Sequence, residues 1–272
     1  DCQYGRIIHG RFTISNQEFT GSFSELKMKV IMLAAGVGKR MSAVTNIIPK
    51  CLIKIGEKTL LERHLETISL LGIKDIVFVV GHLKEKIKET VENNNNSFNI
   101  KYIENEQYTK GSILSLWYAR NELNDDVLIM DADVLYHDKL LIKLAESSNK
   151  SCFLLDENCE DTGEEMMLFV KGDNVIGISK VSSYDCDFKG EGVGFLKLAA
   201  NDCHKLKTIL EEFEQAGKVN VEYEDSLHEL LSHCTVGFER VEDLPWIEID
   251  FEEDIERAGR EILPRLENAN RR

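Results

Sequence analysis

A chain of 272 residues is long enough for one α/β domain to bury a full core, and 43% apolar and 30% charged residues with only 3 prolines exclude a disordered or repeat-built protein. A formal net charge of -15 leaves no basic surface to screen a phosphate backbone, so no nucleic-acid partner is expected and small substrates are favoured. The 7 cysteines, scattered from Cys2 to Cys234 without a CxxC pair, fit a reducing, cytoplasmic compartment, and no run approaches the ~18 apolar residues of a membrane span.

Residues 1–27 carry neither clear periodicity nor a motif and are expected to be a leader or the tail of an upstream domain; 28–272 are expected to form one domain. From Val30 to Ala35 an apolar run reads as a buried strand that opens into a glycine-rich loop. Thr59 and Glu62 have capping-box spacing, and Leu61, His64, Leu65 and Ile68 then trace one helical face ending at Gly72. Ile76–Val80 is a second buried strand, Leu83–Glu92 an exposed helix, Asn93–Asn96 a loop and Asn99–Ile103 a third strand. A helix over Ser112–Leu123 leads to the strand Val127–Met130, which runs into Asp131-Ala132-Asp133. Carboxylates at the C-terminal end of such a strand face the binding crevice. In the second half, Met167–Val170 and Val175–Ser179 flank Gly172-Asp173-Asn174 as a hairpin. A strand over Gly192–Leu198, helices over Asp202–Gln215 and Glu224–His233, a last strand Trp246–Asp250 and a closing helix Glu252–Ile262 complete the chain.

The run Leu33-Ala34-Ala35-Gly36-Val37-Gly38-Lys39-Arg40-Met41, followed by Pro49-Lys50, carries most of the functional information. Two glycines let the backbone bring N–H groups against a triphosphate, and Lys39, Arg40 and Lys50 supply its countercharge. It is not a P-loop, because Leu33 and Arg40 occupy the places of the first Gly and the closing Ser or Thr. Nor is it a dinucleotide fingerprint, because Met41 replaces the third Gly. His228-Glu229 does not make a zinc helix, since His233 follows five residues on instead of four. Trp117 and Tyr118 read as core residues.

This run resembles the signature of the sugar-phosphate and phosphocholine nucleotidyltransferases, LAAGxGxRL followed by PK and an apolar residue, with Met41 for the usual Leu. The resemblance spans roughly Lys29 to Leu266. It implies a three-layer, Rossmann-like α/β sandwich with a mixed, mostly parallel central sheet. It implies nucleotide binding by Leu33, Ala34, Ala35, Gly36, Gly38, Gly81, Gly111 and Ser112, catalysis by Lys39, Arg40 and Lys50, and Mg²⁺ held by Asp133 and Asp250. Both aspartates follow apolar strands in the sequence, which supports that assignment independently.

Within the family the chain most resembles the small cytidylyltransferases, with CTP and a small phosphate or phosphonate acceptor such as phosphocholine, 2-aminoethylphosphonate or hydroxyethylphosphonate. Asp131, Glu191, Gly192, Glu224 and Asp225 are the acceptor-side candidates. Met166-Met167 and Glu224 stand where aromatic residues would enclose choline, and a quaternary ammonium prefers aromatic faces. The resemblance also allows a domain of a larger bifunctional enzyme. A sugar- or inositol-phosphate nucleotidyltransferase and a non-catalytic nucleotide-binding module are the alternatives.

Overall fold

The computed structural model describes residues 27–94, 98–159, 162–181 and 183–269; all but the last residue of the expected leader, and Asn95 and Asn96 of the asparagine run, lie outside them. Strand β1 (Lys29–Ala34) leads through a 3-10 turn at Lys39–Met41, helix α1 (Ser42–Thr45) and a second 3-10 turn at Lys50–Leu52 to a small hairpin, β2 (Lys54–Ile55) and β3 (Lys58–Thr59). Helix α2 (Leu60–Leu70) starts at the expected capping box: the Glu62 N–H donates to Thr59 Oγ1 at 3.1 Å, and the Thr59 N–H to Glu62 Oε2 at 2.7 Å. Such a cap is worth about 0.5–2 kcal/mol. Then follow β4 (Asp75–Val80), α3 (Lys84–Asn94), β5 (Asn99–Glu104), α4 (Ile113–Tyr118) and β6 (Val127–Asp131). Helix α3 continues through Asn93 and Asn94, which were expected in a loop.

Besides α1, β2 and β3, the sequence reading has no counterpart for β7 (Val134–Tyr136), α5 (Asp138–Glu146), β8 (Cys152–Asp156) and, further on, β12 (Gly237–Arg240) and the last helix over Leu263–Ala269. The hairpin β9 (Met167–Lys171) and β10 (Asn174–Ser179) turns at Gly172, whose φ of 59° suits glycine. Strand β11 (Phe188–Leu198) begins before Gly192. Helices α6 (Ala200–Gln215) and α7 (Tyr223–Leu230), the short strand β13 (Trp246–Glu248), α8 (Glu252–Arg257) and α9 (Leu263–Ala269) complete the order.

The central sheet runs β10-β9-β11-β6-β1-β4-β5, with β8 on β11 and β12 on β8. Its β6-β1-β4-β5 part is parallel, and β11 is antiparallel to β6, β8 and β9, so the sheet is mixed as expected. Alternate residues of β1 serve opposite faces, as the two-residue period of a strand requires. Val30 and Met32 pack with α2, α3 and α5 through Leu65, Ile87 and Leu141, while Ile31 packs with α4, α6 and α7 through Leu116, Leu206 and Leu227. Helices on both faces of one sheet make the three layers. A third core joins the start of the chain to its end: fully buried Met41 packs among Ile249, Ala258 and Ile262. A thioether side chain thus fills the place of the usual Leu, a burial worth roughly 1.5–3 kcal/mol.

From β1 the chain steps outward to β4 and β5, then returns to place β6 on the other side of β1. Strand order reverses at that point, and a crevice opens beyond the C-terminal ends of β1 and β6.

Candidate active site

A cleft of about 880 Å³ occupies that crevice. On one wall, the loop after β1 is shaped by Gly38, whose φ is 64° and where a Cβ would stand 2.7 Å from Thr45 Cγ2 and 3.2 Å from Lys50 Cε. The Gly38 carbonyl accepts from the Met41 N–H at 2.9 Å and from Thr45 Oγ1 at 2.9 Å. Leu33, Ala35, Gly36 and Gly38 line the cleft with Lys39, Arg40 and Lys50. Ala34 and Gly81 are outside the lining; Gly81 is a packing glycine, where a Cβ would lie 2.7 Å from Tyr108 Cβ and 2.9 Å from the Ala35 carbonyl. Gly111 and Ser112 do line it. Segment 219–221 lies against Gly111, whose N–H donates to the Val219 carbonyl at 3.0 Å, and a Cβ there would meet the Val221 carbonyl at 2.2 Å. Ser112 Oγ accepts from the Tyr223 N–H at 2.9 Å, which ties this wall to α7.

Asp133 and Asp250 do meet, though by a different route from the one their flanking strands suggested. Asp133 sits in the turn between β6 and β7 rather than at a strand end, and Asp250 lies two residues beyond β13. Strands β7 and β13 pair with each other in a separate ribbon, with Glu248 opposite Val134, and the Ile249 N–H donates to the Asp133 carbonyl at 3.0 Å. That ribbon sets the two aspartates side by side. Asp254 Oδ2 accepts from the N–H groups of Asp250 and Phe251 at 2.9 and 2.7 Å and fixes the following turn. Asp133, Glu248 and Asp250 each offer an oxygen, all within 4.8 Å of one another. Glu248 went unnoticed in the sequence, although it ends the strand that leads into Asp250.

The cations interlock with these carboxylates. Lys50 Nζ donates to Asp133 Oδ2 at 3.0 Å and to Asp250 Oδ1. Arg40 Nη1 donates to Asp250 Oδ2 at 2.7 Å and Nη2 to Glu164 Oε2 at 3.1 Å. Lys39 reaches the Thr109 carbonyl at 3.4 Å. Burial alone would lower the Lys50 pKa, but Asp133 and Asp250 outweigh it and raise it. Burial alone would raise Asp250, and Lys50 with Arg40 hold it below the usual carboxylate range.

On the far wall, Asp131 ends β6 and accepts from the Tyr223 hydroxyl at 2.7 Å. It packs against Gly194, where a Cβ would stand 2.6 Å from Asp131 Oδ2. Burial, with Asp133 and Glu224 nearby, pushes its carboxyl well up. Burial lifts Glu224 to about 8, and burial with Glu165 and Asp156 as neighbours lifts Glu191 to about 7. Glu191, Gly192 and Glu224 line the cleft, whereas exposed Asp225 caps α7 by accepting from the Glu222 N–H at 3.0 Å. Asp156, Trp246, Tyr223 and Arg257 also line it and were not foreseen. Neither His228 nor His233 belongs to a metal-like grouping among the described residues; His228 accepts from the Ile178 N–H at 3.2 Å. Trp117 and Tyr118 pack against the core.

A sequence profile described as the MobA-like NTP transferase domain matches residues 30–165, half of the chain. This chain belongs to the MobA-like NTP transferase family. It is therefore a nucleotidyltransferase, in keeping with a glycine loop and an acidic group facing each other across the switch point. The choline-phosphate cytidylyltransferase of Streptococcus pneumoniae is 28% identical over 242 residues, covering 87% of this chain and 98% of that protein. The CMP-5'-(3-aminopropyl)phosphonate synthase of Streptomyces rubellomurinus is 29% identical over 125 residues, 46% of this chain but 20% of that longer protein. The solved CTP:phosphocholine cytidylyltransferase of Streptococcus pneumoniae superposes with a TM-score of 0.69 at 24% identity, over 85% of this chain and 97% of that one. That superposition speaks for the fold alone: the MobA-like sheet with helices on both faces. No helix among the described residues is long and apolar enough to cross a membrane.

Proposed function

We propose that residues 28–272 form a cytidylyltransferase domain that transfers CMP from CTP to a small phosphorylated alcohol or alkylphosphonate and releases pyrophosphate. The observation that carries this reading is the convergence of Lys50 with Asp133, Glu248 and Asp250 opposite the Gly36–Gly38 loop. In it, the glycine loop with Lys39, Arg40 and Lys50 receives the triphosphate, and Gly111 and Ser112 face the base, with segment 219–221 packed behind Gly111.

The three carboxylates suit Mg²⁺, because hard oxygen donors converge within reach of one small ion. When bound there, the ion neutralises charge on the phosphates. The acceptor needs no general base, since a phosphate with a second pKa of ~6 is already ionised near neutral pH. Its oxygen forms the new bond to the α-phosphorus as the bond to the β-phosphate oxygen breaks and pyrophosphate leaves. Lys50 holds the reacting phosphates in line and stabilises charge on them, and positioning of this kind supplies most of the rate in phosphoryl-type transfer. The described cysteines are free, in line with a cytoplasmic protein, and fusion to a second enzyme suits the length of the Streptomyces relative.

Pyrophosphate release, measured across four nucleoside triphosphates and a panel of acceptors, tests the reading. CTP with phosphocholine or a short alkylphosphonate is expected to lead. Preference for UTP with glucose 1-phosphate would replace it by a sugar-phosphate enzyme, and nucleotide binding without pyrophosphate release by a silent module.

A further inference from the structure

We propose that His82 is a positioning residue for the triphosphate, acting through Thr45 to keep the Gly38–Lys39 peptide with its N–H, and not its carbonyl, facing the cleft. The inference rests on the reading that the glycine loop receives the phosphates, and deepens it. Glycine makes such a loop possible but does not fix it. Gly38 adopts a φ of 64° and leaves no space for a Cβ between Thr45 Cγ2 and Lys50 Cε. The same lack of a side chain leaves the peptide planes on either side free to turn.

In a trans peptide the carbonyl and the following N–H point opposite ways, so the orientation of one plane decides whether a donor or an oxygen meets an anion. The Gly38 carbonyl is turned to the buried side, where it accepts from the Met41 N–H and from Thr45 Oγ1, both at 2.9 Å. Neither Met41 nor Thr45 lines the cleft, whereas Gly38, Lys39 and Arg40 do. The N–H of Lys39 is thereby turned the other way, to the cleft side. A flipped peptide would set a carbonyl oxygen against the phosphates instead.

Thr45 is 1% exposed, and its hydroxyl also reaches the Met41 carbonyl at 3.0 Å, so one buried proton serves two carbonyls. What fixes Thr45 in turn is His82, two residues beyond β4. Thr45 closes α1, and the carbonyl of a last helical residue has no partner within its helix. His82 Nε2 lies 2.8 Å from that carbonyl, and because a carbonyl only accepts, this nitrogen carries the ring proton. The main-chain N–H of His82 donates to the Ala35 carbonyl at 3.1 Å. One residue thus bonds the chain just before the glycine loop and again just after it. His82 does not line the cleft, so it acts on the nucleotide only through this backbone.

The test measures, by calorimetry in MgCl₂, the binding of CTP, CMP, UTP and UMP to the full chain as wild type, Thr45→Val, Thr45→Ser, His82→Phe and His82→Gln. Val keeps the shape of Thr without its hydroxyl and Phe keeps a ring without its donor, whereas Ser and Gln each retain a donor. Thr45→Val and His82→Phe are expected to weaken CTP by about 10-fold or more, as for one lost hydrogen bond to a charged group. CMP, which lacks the outer phosphates, should weaken by less than about threefold, and Thr45→Ser and His82→Gln should stay near wild type with both ligands. CTP and CMP weakened alike, or CTP affinity that Thr45→Val and His82→Phe leave within about threefold of wild type, overturns the positioning role while leaving cytidylyl transfer standing. Should Thr45→Val lose its cooperative thermal transition, the His82 pair decides alone. The expected pattern with UTP and UMP but not with CTP and CMP upholds His82 and replaces the cytidylyl reading. A wild type that binds CTP and UTP no tighter than their monophosphates takes the triphosphate away from the loop and overturns both.

Discussion

Burial of the Glu191 carboxyl beside Glu165 and Asp156 costs the fold stability once the group ionises, and that cost is measurable without any catalytic assay. Its pKa is raised from an ordinary 4.5 to about 7. A group raised in this way costs the fold nothing below its unfolded pKa. The cost grows as pH climbs towards 7 and stays constant above. A shift of that size corresponds to about 3 kcal/mol at 1.36 kcal/mol per pH unit, and screening by water at the cleft mouth reduces it to roughly 1–2 kcal/mol. Glu191→Gln keeps the shape and removes the charge. In buffer without substrate it should therefore be more stable than wild type by roughly 1–2 kcal/mol at pH 8.5, a rise of roughly 2–8 °C in Tm, and indistinguishable from it near pH 4.5. Titrating groups that do not interact with Glu191 are present in both proteins and cancel in the difference. Urea titrations followed by circular dichroism at the two pH values read this directly. An equal effect at both pH values, or a variant less stable at pH 8.5, would refute the electrostatic argument.

Lys50→Ala should cut turnover by about 10²- to 10³-fold, the usual loss on removing one preorganised charge-stabilising donor, while a cooperative thermal transition persists; a near-normal rate would remove Lys50 from the reacting centre. Asp133→Asn and Asp250→Asn should each abolish the rise in Tm produced by MgCl₂ as well as activity, and the double variant should lose little more than either single one. Fully additive losses would count against a shared ion. Gly111→Ala places a methyl 2.2 Å from the Val221 carbonyl, so it should push segment 219–221 away and raise the KM for CTP more than it lowers kcat; equal KM values would separate that segment from nucleotide binding.

The first half of the fold was legible because its signals are local. Runs such as Val30–Ala35 and Ile76–Val80 are continuous and apolar, as parallel strands buried on both faces must be, and the capping box at Thr59 and Glu62 lies within four residues. The second half was legible only in pieces. Helix α5 has an amphipathic pattern, with Leu140, Leu141 and Leu144 buried and Lys139 and Lys143 outside the core, but it is short and follows the three-residue strand β7 directly. Strands β8 and β12 are short, and their pairing joins residues about 85 positions apart, Gly237 to Cys152, so no local period announces it. The same holds for the ribbon of β7 and β13. Asp133 and Asp250 were found by their motif, but what unites them is a non-local pair of three-residue strands, and Glu248 enters the group only through that pairing. Asp225 misled in the opposite way: an acidic residue in the first turn of a helix is as well explained by a cap, which is its role here.

How a chain with a net charge of -15 accommodates a triphosphate follows from the way its cations are held. Lys50 and Arg40 have carboxylate partners in Asp133 and Asp250, at side-chain exposures of 16% for Lys50 and 21% for Asp133. At such distances each contact is worth on the order of a few kcal/mol, but both ions have already given up much of their water to form it. Under the proposed function, a nucleotide arriving with Mg²⁺ exchanges partners instead of creating new ones. The carboxylates would then hold the metal and the lysine the phosphates, so the local charge would stay balanced and the desolvation already incurred would not be repeated. A free triphosphate without the metal would instead separate Lys50 from Asp133 and Asp250 and leave two recessed carboxylates uncompensated. On that reading the interlock would discriminate between the metal-bound and the free nucleotide before any chemistry occurs, with the same residues to which the proposed reaction is assigned.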